Sequence, residues 1–167
     1  MTRVFVALGA NLADPVGQLE RAVAALSQLP DTLLVACSRF YRSAPMGPAD
    51  QPDYVNGVAE LATHLAPHDL LDALQAIELS QGRERKDERW GPRTLDLDIL
   101  LYGHWVLDDE RLTLPHYGMK QRAFVLVPLS ELAADLVLPD GSALADWVAT
   151  CDRRDLHALS LPLHCSR

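Results

Sequence analysis

RWGPRTLDLDILLYG, residues 89–103, is the stretch whose reading decides the fold. Apolar and acidic side chains alternate in TLDLDILL, the period-two signature of a strand covered on one face. Leu95, Leu97, Ile99 and Leu101 are expected against the core, with Asp96 and Asp98 together on the opposite face. Carboxylates two positions apart on a strand are separated by roughly 7 Å along it, which suits oxygens converging on shared cations. A half-covered antiparallel sheet also tolerates acids on its wet face. Asp is nevertheless depleted in strands, and two like charges side by side repel unless something positive lies between them. Mg²⁺ meets that need, because it takes a few carboxylate oxygens and completes its shell with water and phosphate.

The approach to this strand, residues 82–93, carries Arg83, Arg85, Lys86, Arg89 and Arg93 against Glu84, Asp87 and Glu88, in a chain of net charge −8. A charge run alone is most often a solvated loop. Its adjacency to the acid pair points further, since arginine forks match phosphate oxygens and phosphoryl transfer needs positioning and charge neutralisation above all. No GxxxxGK[ST] is present and no GxGxxG precedes a helix, so a P-loop or Rossmann nucleotide site is excluded.

Around this centre the pattern predicts β-α-β-β-α-β. Residues 4–8 read as a strand that breaks at Gly9-Ala10-Asn11, and Asp14-Pro15 starts a helix with Asp as N-cap and Pro at the first helical position. Residues 32–41 read as a second strand, followed by the Pro-rich loop SAPMGPADQPD, and residues 54–65 as a third. Pro67 opens a second helix that Gly82 closes; residues 95–102 form the next strand, and residues 105–107 with 112–114 a small hairpin. Residues 122–132 and 144–148 supply further helices. The expected architecture is α+β, a ferredoxin-like βαββαβ core whose antiparallel sheet carries helices on one face, with a C-terminal hairpin and helix extension, all in a single domain over residues 1–167.

Composition is that of an ordinary globular chain, 49% apolar and 23% charged. The acidic balance argues against nucleic acid or an anionic membrane as the main partner. Three cysteines without a CxxC pair indicate neither a zinc site nor a disulfide framework, and a cytoplasmic location is expected. The start of the chain reads as a first strand rather than a signal peptide, and no apolar run approaches bilayer-spanning length.

RWGPRTLDLDILLYG, together with GANL near the start, SRFYRSAPMGPADQPDYVNGV and LPHYGMKQRAFVLVPL, resembles the 6-hydroxymethyl-7,8-dihydropterin pyrophosphokinase (HPPK) family of folate biosynthesis over about residues 4–140. The resemblance implies transfer of diphosphate from ATP, the co-substrate, to the pterin hydroxymethyl oxygen, with release of AMP. It implies that Asp96 and Asp98 hold two Mg²⁺ ions and that Arg83 and Arg93 are catalytic arginines on a mobile loop. Gln75, Glu78, Arg85, Trp90, Ile99, Arg111, Leu112, Thr113, His116, Tyr117 and Arg122 fall on ATP-side positions. Tyr54 and Phe124 match the aromatic pair that sandwiches the pterin, Asn56 the amide at the ring edge, and Ser43, Ala44 and Met46 its backbone contacts. Many family members read Arg-Thr-x-Pro where this chain has Arg42-Ser43-Ala44-Pro45; serine keeps the hydroxyl. A monomer is expected, and the tail from residue 152 matches no motif.

Two other readings fit parts of the pattern. A ferredoxin-like small-molecule-binding regulatory module would bind without releasing AMP. A two-metal nuclease or phosphohydrolase would also use paired aspartates, but the acidic charge and the lack of a further acid or His cluster beside the pair disfavour it.

Overall fold

A computed structural model of the chain describes residues 1–11, 14–43, 53–83 and 95–159, with residues 82 and 83 by backbone alone. In chain order the elements are β1 (Thr2–Ala10), α1 (Pro15–Leu26), β2 (Thr32–Cys37), β3 (Tyr41–Ser43), β4 (Tyr54–Thr63), α2 (Pro67–Glu78), β5 (Asp96–Tyr102), β6 (Leu107–Asp108), β7 (Thr113–Leu114), α3 (Ala123–Leu132), α4 (Leu144–Thr150) and β8 (His157–Ala158). The main sheet is antiparallel in the order β5-β1-β4-β3-β8, with β2 also on β4, and β6 and β7 form the small hairpin. This is the expected α+β plan.

Local chemistry explains the element ends. The Asp14 carboxylate accepts from the Gly17 N–H at 3.3 Å, and Pro15 occupies the first turn of α1, as the N-cap reading predicts. α2 does not run to Gly82: it ends at Glu78 and passes into a π-helical turn, Leu79–Arg83. The expected strand over residues 32–41 is two strands. Between them the Ser38 hydroxyl accepts from the Val58 N–H at 2.9 Å, while the Phe40 ring packs 3.0 Å from where a Cβ on Gly57 would lie. The chain therefore steps sideways along β4, so that β2 pairs with its far end and β3 with its start.

The sheet has apolar layers on both faces. α1 and α2 cover one face with Val4, Val6, Leu8, Leu19, Leu26, Leu61, Leu70 and Leu74, and Leu95, Leu97 and Ile99 of the β5 region join them as the alternation predicts. Leu101 does not. The β1–β5 register shifts between Phe5 and Val6, so Phe5 faces Leu101 while Val6 faces Ile99, and Leu100 is the extra residue of a β-bulge. Leu100 and Leu101 both enter the second layer, with Phe5 and Val58 against Leu126 and Leu129 of α3, while Tyr102 returns to the first. The extension helices α3 and α4 thus cover part of the second face. The unassigned tail reaches the sheet edge, where β8 pairs with Tyr41 and Arg42 of β3 and Leu159 N–H donates to Phe40 O at 2.9 Å.

Candidate active site

Where α3 leaves the second face uncovered, a cavity of about 200 Å³ opens. Its floor is built by strand register. Gly9 of β1 lies opposite Asp96 of β5 on one side and Asn56 of β4 on the other, and Asn56 in turn lies opposite Tyr41 of β3. Two strand spacings therefore separate Asp96 from Asn56, roughly 10 Å at the backbone. Gly9 matters because a Cβ there would sit 3.1 Å from the Asn56 amide nitrogen, inside the floor of the cavity.

The carboxylate end holds Asp96, half-buried, and Asp98, exposed, both lining the cavity. Two hard oxygen donors on one strand face fit Mg²⁺, which leaves positions for water and phosphate. Among the described residues no group of three or more His, Cys, Asp or Glu is placed to hold a metal ion. Between the two aspartates the Leu97 N–H is bonded off the sheet, to Glu78 Oε2 at 2.7 Å. Glu78, expected on the ATP side, is buried, and its side chain anchors the aspartate-bearing strand to α2.

His116 and Arg122 line the wall near Asp98. The Gly118 N–H donates to His116 Nδ1 at 3.1 Å, which fixes the neutral ring with its proton on Nε2. Burial lowers the His116 pKa from its ordinary value; Asp98 opposes this and Arg122 adds to it. The His116 ring stacks on that of the exposed Tyr117, with centroids 4.8 Å apart. The Arg122 guanidinium lies 5.9 Å from the centroids of both Tyr117 and Phe124.

The other end of the cavity presents Tyr54, Phe124, Ser43 and Asn56. The Ser43 hydroxyl donates to Asn56 Oδ1 at 2.8 Å in a buried bond, which holds the amide plane and turns its nitrogen toward Gly9.

Of the remaining ATP-side candidates, Gln75, Arg111 and Thr113 gather at the β6–β7 hairpin. Arg111 donates to Gln75 at 3.2 Å and to Asp72 at 2.6 Å, and Thr113 donates to Asp108 at 3.3 Å. Ile99 and Leu112 are buried in the first apolar layer. Ala44, Met46, Arg85, Trp90 and Arg93, and the side chain of Arg83, lie outside the described residues. Sequence reading missed Ala7, Leu8, Gly9, Leu100 and Val125 as cavity residues. Only Gly9 carried a signal, a glycine at the end of a strand.

The geometry defines a small-molecule site with a cation-binding end and an aromatic, amide-edged end. Comparison with known proteins names its family. The sequence profile of 7,8-dihydro-6-hydroxymethylpterin-pyrophosphokinase (HPPK) matches residues 5–134, and the chain belongs to that family. The chain is 64% identical over 149 residues to the 2-amino-4-hydroxy-6-hydroxymethyldihydropteridine pyrophosphokinase of Pseudomonas aeruginosa, covering 89% of this chain and 91% of the relative. It is 57% identical over 148 residues to the protein of the same name from Haemophilus influenzae, covering 89% and 92%. Its fold is similar to that of an HPPK-DHPS crystallised in complex with substrates, with TM-score 0.70 and 11% identity over 90% of this chain and 45% of that one. The wild-type Plasmodium falciparum HPPK-DHPS with pteroate gives TM-score 0.70 and 11% identity over 89% and 42%. The chain therefore spans less than half the length of those two structures. Among the described residues no helix is long and apolar enough to cross a membrane.

Proposed function

We propose that this chain transfers diphosphate from ATP to the hydroxymethyl group of 6-hydroxymethyl-7,8-dihydropterin, releasing AMP. One observation carries the reading: a single cavity has paired carboxylates at one end and, about two strands away, an oriented amide flanked by aromatic residues. In the reaction the substrate hydroxyl oxygen bonds to the β-phosphorus as the bond to the α–β bridging oxygen breaks. The hydroxyl proton is lost and AMP leaves.

Each end has a distinct task. Tyr54 and Phe124 offer faces to a flat ring, while Asn56, held by Ser43, offers its amide nitrogen to an acceptor on the ring edge. The backbone at Ser43, Ala44 and Met46 completes that edge in this reading. Asp96 and Asp98 would hold Mg²⁺, two ions in our reading, which when bound would neutralise triphosphate charge. His116 Nε2–H and the Arg122 guanidinium are donors on the same wall, suited to phosphate oxygens. The resemblance also assigns Gln75, Glu78, Arg85, Trp90, Ile99, Arg111, Leu112, Thr113 and Tyr117 to the ATP side; those of them that are described lie outside the lining of this cavity. The proposal assigns Arg83 and Arg93 to the phosphates as the loops over residues 43–53 and 82–93 close. In this reading the chain acts as a monomer, in the cytoplasm.

The test is direct. The protein is incubated with ATP, Mg²⁺ and the hydroxymethyl dihydropterin, and AMP is measured by chromatography. Pterin-dependent AMP is expected. Binding of both ligands without AMP would instead support a regulatory module, and ADP or inorganic phosphate as the product would overturn diphosphate transfer.

A further inference from the structure

The two walls of the aromatic end come from different parts of the chain: Phe124 sits on α3, Ser43 on β3. A polar network one step from the cavity, partly exposed at Arg39 and Glu131, ties them together. Tyr41, two residues before Ser43 on the same strand face, is 4% exposed, and its hydroxyl donates to Glu131 Oε2 near the C-terminal end of α3. The Glu131 carboxylate also accepts from the Arg39 backbone N–H at 2.9 Å and from Arg39 Nε at 3.3 Å. Arg39 Nη2 closes the triangle on the Tyr41 hydroxyl at 3.3 Å. Three donors thus converge on one carboxylate, linking α3 to β3 through Tyr41 and to the residues just before β3 through Arg39.

Its position makes it consequential for the cavity. Phe124 and Glu131 are seven residues apart, two helical turns, so they share one side of α3. Pro128 lies between them and lacks the N–H that would bond the Phe124 carbonyl four residues back, so the helix ladder is interrupted at the residue that forms the wall. Tyr41, in turn, lies directly opposite Asn56 in the sheet register. The network therefore joins the helix bearing one ring face to the strand flanking the edge-reading amide.

We propose that Glu131 is a positioning residue for the pterin: through Tyr41 and Arg39 it sets the spacing between Phe124 on α3 and the Ser43–Asn56 pair on the sheet. The inference rests on the pterin reading of the cavity. Its effect is selective. Glu131 is on the opposite side of the aromatic end from Asp96 and Asp98, so its loss should loosen the ring site and leave the cation end intact.

The experiment measures, by calorimetry in Mg²⁺, the dissociation constant of a non-reacting ATP analogue, then that of the pterin with the analogue saturating. Glu131→Ala is expected to weaken the pterin on the order of tenfold, the scale of a lost charge-assisted hydrogen bond, with the ATP analogue unchanged. Glu131→Gln, which keeps an acceptor for Tyr41, should recover most of that loss. Tyr41→Phe removes one hydroxyl without opening a cavity, and should weaken the pterin in the same selective way even if Glu131→Ala does not fold. Adding Tyr41→Phe to Glu131→Ala should cost less than the sum of the two. Unchanged pterin affinity in Glu131→Ala and Tyr41→Phe, or an equal loss of both ligands, would overturn the proposal. Failure of the wild-type protein to bind the pterin would refute the functional reading itself, which is a distinguishable result.

Discussion

Replacing Glu78 by alanine tests how the strand that carries Asp96 and Asp98 is held. β5 is the outermost strand of the sheet on its side, so the Leu97 N–H, between the two aspartates, takes its partner from α2: Glu78 Oε2 at 2.7 Å. Glu78 is 5% exposed, so the orphaned donor in the variant would have little access to water. A hydrogen bond to a charged group contributes about 1.5–3 kcal/mol, and breaking it leaves the desolvated N–H uncompensated. Relief of the buried carboxylate offsets part of this, so the expected net loss is about 2 kcal/mol. For a domain of this size that lowers the melting temperature by roughly 4–8 °C. The assay pairs thermal melting with calorimetric binding of a non-reacting ATP analogue at rising Mg²⁺. The alanine variant should melt lower and need more Mg²⁺, because Leu97 spaces Asp96 from Asp98. Glu78→Gln keeps an acceptor for Leu97 and should recover most of the melting temperature. An alanine variant that melts within about 1 °C of wild type would refute the anchoring argument.

Three further outcomes are expected. Asp98→Ala should cut AMP release by more than about a hundredfold, since loss of even an outer partner of a metal ligand costs up to that much; Asp98 is exposed, so the melting temperature should hold, and full activity would sink the metal assignment. Gly9→Ala places a Cβ 3.1 Å from Asn56 Nδ2 and should raise the pterin KM about fivefold or more, the scale of a tight-site overpacking penalty, with the ATP KM unchanged; an unaltered pterin KM would show that the floor has room. His116 should titrate below 6.5 by NMR in the metal-free protein, because burial favours its neutral form and protonation would set an Nδ1–H against the Gly118 N–H. With the folded pKa lowered, the unfolded chain takes up this proton first, so the contribution of His116 to stability is full above about 6.5 and is lost as pH falls toward the folded value. A midpoint above 6.5 would contradict the assignment.

The alternation in TLDLDILL was enough to place Asp96 and Asp98 on one face and Leu97 and Ile99 on the other, because a strand's period is local. It failed at Leu101, since a bulge depends on how the far half of β5 packs beneath α3, which lies later in the chain. The split of residues 32–41 was hidden for a similar reason. Phe40 leaves the strand to cover Gly57, seventeen positions on, and nothing within residues 32–41 announces that contact. β8 had no readable pattern at all: His157 and Ala158 are both exposed, so no burial-driven periodicity marks them. Within the site, Tyr54, Asn56 and Phe124 could be suspected only through family resemblance, because an aromatic or an amide in isolation is ordinary core or surface. The roles of Gly9 and Glu78 follow from register and from a helix-to-strand contact, which long-range packing alone determines.

The cavity itself follows from a taper in side-chain size along the second face. On β1 the residues pointing to that face are Phe5, Ala7 and Gly9, and they pass from the layer beneath α3 to the open floor. On β4 the same direction runs from Val58 to Asn56 and Tyr54, and on β5 from Leu101 and Leu100 to Asp98 and Asp96. β1 and β5 thus change from large and apolar to small or polar at one level, where Ala7 lies opposite Asp98, and β4 does so one pair later, between Val58, opposite Ala7, and Asn56. α3 covers the first half because that half can bury area against it. It cannot close over the second without desolvating two carboxylates and an amide, each costly to bury without a partner. The bulge at Leu100 reinforces the division by adding one more apolar side chain to the covered half while leaving the aspartates in register with Gly9 and Ala7. The open site is therefore a consequence of where the same sheet face stops being able to form a core.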